Sequence, residues 1–410
     1  MPRLFFAGGV GSRLLLLTLH FPNNPDAMAL QIDASKPRYE ILDGLRGVAA
    51  MIVVAFHLFE TYSAGPVFQI LNHGYLAVDF FFVLSGFVIG YAYDDRWPQM
   101  STWSFFKRRL IRLQPLVVLG CVIGALFFFF GDAPMFPLVA QTPWWRVVLM
   151  LLLACLMIPA PPGADIRGWQ EMNPLNGATW SLTWEYVANI LYANVIRRFS
   201  RPLLVVLVAV SAFFTLDIAF NIDTFSLLEA RSYARYTLIG GFGLTPDQLY
   251  VGFGRLCYPF FCGLLMYRLG RRIDLRGGFW WCSALLAAVL VLPCPGAPDS
   301  LWMNGLYNAV AVLFVFPLLV VVGAGSKMTD ARTTAVCRWL GAISYPLYIT
   351  HYPWIYVQLK WAAEHPDAPL GTHVFVAVSI FLISIAVAHA ALKLYDEPVR
   401  RWLKERFLGR

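Results

Sequence analysis

Runs of apolar residues close to the length of a membrane helix recur along the whole chain and constrain its fold more than any other feature. Such runs lie at 42–61, 75–93, 109–130, 144–160, 178–196, 202–220, 249–268, 279–294, 303–323, 340–361 and 372–394. A helix needs about 20 apolar residues to cross a bilayer. Only 14% of the residues are charged, whereas soluble domains carry about a quarter. The sequence therefore predicts an all-α, polytopic transmembrane bundle.

Basic clusters between the apolar runs predict the orientation of the chain, because cytoplasmic loops are enriched in lysine and arginine. They lie at 107–112, 197–201, 268–276, 327–338 and 393–410. If every apolar run crossed the bilayer, some of these clusters would lie outside. The run 144–160 is short and is followed by prolines, so we predict that it is re-entrant or interfacial. About ten spans with both termini cytoplasmic follow.

The expected domain organisation is simple. We predict an N-terminal extension over 1–37 with Met28 as an alternative start, a transmembrane domain over 38–396, and a basic cytoplasmic tail over 397–410. The seven cysteines contain no CxxC pair, which favours packing residues over a disulfide framework or a metal site. The net charge of +8 is explained by the topology clusters, so no nucleic-acid partner is predicted.

The first span carries a polar stripe. Arg46 and His57 are eleven residues apart, which places them on one helix face and separates them by roughly 16 Å. Asp43 lies one turn before Arg46 and is expected to pair with it. Polar groups within a bilayer are costly and are usually functional, and an imidazole can act as a general base. The alternative for His57 is a structural hydrogen bond between helices.

Two acidic residues are predicted at the depth of His57, near the outer ends of their spans. They are Asp79 in the second span and Glu185 in the fifth. A carboxylate there could orient the imidazole and stabilise its protonated form. The alternative for Asp79 is a carboxylate that reaches the interface or caps its helix. We predict that His57, Asp79 and Glu185 form the catalytic group.

At the cytoplasmic side, Arg109 and Arg112 are three residues apart and share a helix face. With Arg46 they could bind phosphates through paired hydrogen bonds, although topology and lipid contact would also explain them. In the tenth span, His351 is predicted either to line the same cavity or to be a structural histidine beside a kink at Pro346.

Five motifs in this order resemble the acyltransferase-3 family of bacterial membrane proteins. They are Asp43-Gly-Leu-Arg-Gly with His57, the segment 78–87, Arg109-Leu-Ile-Arg112, Trp180-Ser-Leu-x-x-Glu185, and Leu340-Gly-x-Ile-Ser-Tyr345 with His351. The resemblance covers about 38–400. It implies that Arg46, Arg109 and Arg112 bind acyl-CoA, and that Asp43, Trp180, Ser181, Tyr345 and His351 are candidates for the cavity lining.

The resemblance also implies an activity: O-acylation of a glycan or glycoside hydroxyl at the bacterial inner membrane. The implied partners are acyl-CoA, with acetyl-CoA the expected co-substrate, a carbohydrate acceptor and the lipid bilayer. No permanently bound cofactor is implied. The chain is expected to be a stand-alone member, without the hydrolase-like domain that many relatives append. Direct transfer and a covalent acyl-enzyme both fit, and the sequence leaves the oligomeric state open.

The alternative function is a transporter or flippase of a lipid-linked sugar, since such proteins also need charges within the membrane. Transporters often contain inverted repeats and interrupted helices, and the sequence shows no evident repeat. A polysaccharide polymerase is a further alternative, but it would be expected to carry a larger loop outside the membrane. These considerations favour an acyltransferase.

Overall fold

The computed structural model describes residue 36, residues 38–328 and residues 330–409, and these fold only into helices and connecting loops. The predicted all-α class is therefore confirmed for this part of the chain. The predicted N-terminal extension, with Met28, lies outside the described residues apart from Lys36.

The main helices follow one another with mostly short connections. They are α1 (Glu40–Glu60), α2 (Ala77–Tyr93), α3 (Thr102–Leu126), α4 (Trp144–Cys155), α5 (Trp180–Asn194), α6 (Arg201–Ala219), α7 (Pro246–Leu269), α8 (Gly278–Val291), α9 (Trp302–Gly325), α10 (Ala331–Thr350), α11 (Tyr352–Glu364) and α12 (Leu370–Phe407).

Within the described residues, seven helices are long and apolar enough to cross a membrane: α1, α2 with the turn before it, α3, α6, α7, α9 and α12. This confirms the polytopic class. The helices α5 and α8 have 15 and 14 residues, fewer than the roughly 20 that a crossing needs. The ten spans and the cytoplasmic termini stay predictions.

Helix α4 is too short to cross by itself. It has 12 residues, or about 18 Å, against a hydrocarbon core of about 30 Å. This length agrees with the predicted re-entrant or interfacial segment. The chain then returns into the protein, since every residue from 171 to 179 is buried. Helix α5 therefore starts inside the bundle rather than at its edge.

Glycines bring α1 and α10 close together. A Cβ atom added at Gly47 would lie 2.5 Å from Cβ of Leu340, and one at Gly341 would lie 2.7 Å from Cβ of Asp43. Small residues allow membrane helices to approach in this way. The contact places the α1 stripe that carries Arg46 and His57 beside the C-terminal half of α10.

The predicted tenth span is two helices. Helix α10 continues through Pro346 and ends at Thr350, and α11 begins at Tyr352 with Pro353 in its first turn. Because proline has no backbone N–H, Pro353 leaves the carbonyl of Ile349 without its helical donor. The side-chain amide of Asn176 donates to that carbonyl at 2.7 Å. The break therefore lies at His351 rather than at Pro346.

At the C-terminal end, the predicted basic tail is part of a helix. Residues Glu397–Phe407 continue α12 after a π-helical turn at Ala391–Asp396.

Candidate active site

His57 lies in the last turn of α1, in the wall of a cavity. Its Nδ1 is 2.7 Å from Oε2 of Glu60. Since a carboxylate only accepts, Nδ1 carries the proton that it donates to Glu60. In the neutral ring, Nε2 then has the lone pair. Tyr352 packs against the imidazole edge to face, with ring centroids 4.9 Å apart.

Asp79 does not orient His57. It is fully buried in α2 and forms a two-pronged ion pair with Arg255 of α7, at 2.6 Å to Nη2 and 3.2 Å to Nε. Close packing of α2 on α7 through Gly86 and Gly263 brings these side chains together. Because a buried carboxylate is costly without a partner, the predicted contact with His57 and the alternative of an interfacial Asp79 are both wrong.

Glu185 lies away from His57 as well. Its Oε1 accepts from Arg109 of α3 at 2.5 Å and from the hydroxyl of Ser85 at 2.8 Å. The sequence placed Glu185 at the outer end of its span and Arg109 at the cytoplasmic side. They meet because α5 starts inside the bundle, so that Glu185 lies deeper than predicted.

The predicted arginines come together at the other end of α1. Arg46 donates to the Ser344 hydroxyl at 2.8 Å and to the Gly341 carbonyl at 3.0 Å. It also forms the predicted pair with Asp43, at 3.1 Å. Arg112 lies within electrostatic range of Arg46, Arg109 and Asp43.

Arg109 has the ion pair to Glu185, but its buried Nε has no partner among the described residues. The arginine cluster of Arg46, Arg109 and Arg112 thus carries more positive charge than its neighbouring carboxylates, Asp43 and Glu185, balance.

The cavity beside His57 has a volume of about 550 Å³. This lies within the roughly 300–1,000 Å³ typical of small-molecule sites. Its lining combines aromatic with charged side chains: Trp169, Trp180, Tyr233, Tyr348, Tyr352, His57, Glu60, Glu171 and Arg255. The cavity therefore offers flat apolar faces together with a few polar groups.

Of the residues predicted to line a cavity, Trp180 does so. Asp43 lies with Arg46 at the other end of α1. Ser181 exchanges a hydrogen bond with the hydroxyl of Tyr348 at 2.7 Å, and the hydroxyl of Tyr345 donates to the carbonyl of Leu113 at 2.8 Å. These three residues support neighbouring helices rather than forming the wall, because their polar groups point between helices.

His351 lies behind His57 at the break between α10 and α11. The two rings stack with centroids 5.6 Å apart. His351 is fully buried, and its Nδ1 faces the carbonyls of Leu347 and Tyr348 at 3.1 and 3.0 Å. Nδ1 therefore donates, while Nε2 has no partner among the described residues. Both predicted histidines thus belong to one site.

Sequence reasoning missed three charged residues of the cavity. Glu60 is three residues after His57, a spacing that makes helical neighbours and could have identified it. Arg255 interrupts an apolar run, which is itself a functional signal. Glu171 comes from the loop between α4 and α5, where no periodic pattern marks it.

Glu171 is held at one oxygen only. Its Oε2 accepts from the hydroxyl of Tyr356 at 3.0 Å. Burial raises the pKa of Glu171 to about 7, against the opposing effects of Arg167 and the Tyr356 hydrogen bond. The carboxyl therefore changes its charge near neutral pH.

Comparison with known proteins identifies the kind of protein to which this site belongs. The acyltransferase-3 family, described as an acyltransferase domain, matches residues 39–407. Protein 2 in the picA locus of Rhizobium radiobacter is 34% identical over 182 residues, which are 43% of this chain and 91% of that protein. Acyltransferase MdmB of Streptomyces mycarofaciens is 24% identical over 390 residues, 90% of this chain and 93% of that protein.

A more distant relative is peptidoglycan O-acetyltransferase OatA of Listeria monocytogenes. It is 22% identical over 387 residues, which are 88% of this chain and 55% of that protein. No solved structure matches the chain.

Proposed function

The chain belongs to the acyltransferase-3 family and is a membrane acyltransferase, and from that premise we propose that it moves an acetyl group from acetyl-CoA to a hydroxyl of a glycan or glycoside. The printed names of two relatives, a peptidoglycan O-acetyltransferase and an acyltransferase, support this class. The expected location is the bacterial inner membrane. An enzyme of this family has no need of the transporter alternative.

His57 is the proposed general base, and its contact with Glu60 in the cavity wall is the observation that carries this proposal. Glu60 fixes the tautomer in which Nε2 has the lone pair, and it stabilises the imidazolium that forms. A positioned base of this kind contributes roughly 10²–10⁴-fold. Glu60 therefore takes the orienting role that the sequence gave to Asp79 or Glu185.

The proposed reaction is a direct transfer. Nε2 of His57 removes the proton from the acceptor hydroxyl while the oxygen attacks the thioester carbonyl. The carbon–sulfur bond then breaks, and the imidazolium returns the proton to the coenzyme A thiolate. The products are the acetylated acceptor and free coenzyme A, so atoms and charge balance.

The arginine cluster is the proposed site of the donor phosphates. Guanidinium groups bind phosphates through paired hydrogen bonds, and this cluster has an excess of positive charge. The roughly 16 Å between Arg46 and His57 along α1 is comparable to an extended pantetheine arm. With its phosphates at the cluster, acetyl-CoA would present its thioester near His57.

A thiol-release assay tests this function. Purified protein in lipid nanodiscs, given acetyl-CoA and a glycoside, should release free thiol and form an acetylated sugar detectable by mass spectrometry. The variant His57→Ala should lose about 10²-fold or more of this activity while still inserting and folding. Glu364→Gln on α11, which removes an acid paired with Lys360, is the control and should keep full activity.

Near-normal transfer by His57→Ala would remove His57 from the mechanism. Absence of thiol release with any glycoside would contradict the proposed transfer itself.

A further inference from the structure

The charged groups of the cavity wall are unequal in what they offer to a ligand. The wall contains Glu60, Glu171 and Arg255 beside His57. Arg255 is already paired with Asp79, at 2.6 Å. Its remaining contacts are with backbone carbonyls, those of Tyr75 at 2.7 Å and Gly240 at 3.2 Å. The one full cation of the wall is thus neutralised, and two carboxyl groups remain.

Glu171 is built into this wall. Only 7% of the residue is exposed. Its Oε2 is fixed by the hydroxyl of Tyr356, which also accepts from the N–H of Gly177 at 3.2 Å. The other oxygen, Oε1, has no hydrogen bond in the part of the chain that the structure describes. A buried carboxyl with one oxygen anchored and one unused is suited to receive a donor from a ligand.

The nearest cation does not occupy that oxygen. Arg167 lies behind Glu171, with its guanidinium 3.5 Å from the ring centroid of Tyr356 and its Nε donating to the carbonyl of Pro174 at 2.5 Å. Arg167 is not part of the cavity wall. It therefore offsets the charge of Glu171 without offering a cation to the ligand.

We propose that Glu171 determines acceptor specificity: its Oε1 accepts a hydrogen bond from the acceptor sugar and excludes sugars that carry a carboxylate or phosphate at that position. This inference rests on the proposed function, since it assigns the cavity to the acceptor. Trp169 and Trp180 in the same wall give flat apolar faces on which a sugar ring can lie. The acceptor class is a neutral or amino sugar.

Several groups near Glu171 influence its charge. They are Tyr352 and Tyr356 from α11, Glu60 from α1, and Arg167 and Asp165 from its own loop. Because burial raises the pKa of Glu171 to about 7, the carboxyl is mostly ionised at pH 8. Binding is therefore compared at that pH, where repulsion of an anionic sugar is strongest.

Binding of two matched sugars tests the inference without any chemistry. Methyl glucoside and glucuronic acid differ in charge but not in ring shape, and saturation-transfer NMR on the full chain in nanodiscs measures such weak ligands. We expect the wild type to bind glucuronic acid about tenfold or more weakly than methyl glucoside, because like charges in a shielded site repel strongly. Glu171→Gln should reduce this ratio to about threefold or less.

Two variants keep the test independent of folding. Tyr356→Phe removes the anchoring hydroxyl but keeps the carboxyl, so the preference for the neutral sugar should persist. Glu364→Gln changes the net charge equally outside the cavity and should leave the ratio unchanged. An unchanged ratio in Glu171→Gln, or no binding of either sugar by the wild type, would overturn the inference.

Kinetics separate this inference from the proposed function. With saturating acetyl-CoA, Glu171→Gln should change the acceptor KM ratio of the two sugars and leave kcat and the donor KM nearly constant. If the wild type transfers acetyl groups but this ratio does not respond, only the role of Glu171 is refuted. If His57→Ala transfers normally, the proposed mechanism fails whatever Glu171 does.

Discussion

Two pairs of a nitrogen base and a carboxylate lie beside the same cavity, and they differ in their access to it. In the His57–Glu60 pair the side chains are 18% and 49% exposed, whereas in the Arg255–Asp79 pair they are 1% and 0% exposed. A group that must exchange protons with a substrate needs access. A fully buried ion pair instead stabilises helix packing and is costly to break. The comparison assigns chemistry to the first pair and structure to the second.

The buried pair should give the largest effect on stability. Asp79→Asn leaves the Arg255 guanidinium buried without a countercharge, so we expect a loss of about 3–5 kcal/mol, measured by thermal unfolding in detergent. Asp132→Asn, in an exposed loop position, is the control. A stable Asp79→Asn protein with selectively reduced turnover would return Asp79 to the catalytic group and break the comparison.

The accessible pair should respond in the opposite way. Glu60→Gln removes the charge that stabilises the imidazolium but leaves an acceptor for Nδ1, so we expect kcat to fall about 10- to 100-fold. This is less than the roughly 10²–10⁴-fold that a complete general base contributes, because Glu60 is half exposed and water screens its charge. Thermal stability should stay near that of the wild type. Normal kcat in this variant would show that Glu60 does not orient His57.

The third ion pair, Arg109–Glu185, lies between these extremes, at 8% and 13% exposure. Lysine lacks the planar fork of arginine, so Arg109→Lys should raise the donor KM several-fold and also lower stability by about 1–2 kcal/mol. Arg112→Lys should raise the donor KM without the loss of stability. Acceptor kinetics should change little in either. Unchanged donor kinetics in both variants would leave these arginines as topology signals.

The smallest effect concerns pH. Because the pKa of Glu171 is raised to about 7, its carboxyl is mostly protonated at pH 6 and mostly ionised at pH 8. The preference for methyl glucoside over glucuronic acid should therefore rise by a few-fold across this range. In Glu171→Gln the preference should stay flat, which separates Glu171 from His57. The same rise in that variant would assign the titration to another group.

The site shows which kinds of contact sequence patterns predict. Asp43 and Arg46 pair as the helical spacing indicates, because neighbours three residues apart on a helix meet whatever surrounds them. By contrast, the depth argument for Asp79 and Glu185 assumed that each span starts at the membrane surface. It failed for Glu185 because residues 171–179 carry the chain into the protein before α5 begins.

The sequence by itself determined the helical membrane class, the stripe from Arg46 to His57 and, through its motifs, the acyltransferase family, because these depend on composition and local spacing. Tertiary structure alone decided which carboxylate each cation meets. Asp79 meets Arg255, 176 residues away, and Glu171 reaches the cavity of His57 from a loop without periodicity. Such contacts arise from glycine-mediated helix packing and from a re-entrant loop, and neither sets a repeating pattern that a linear sequence could show.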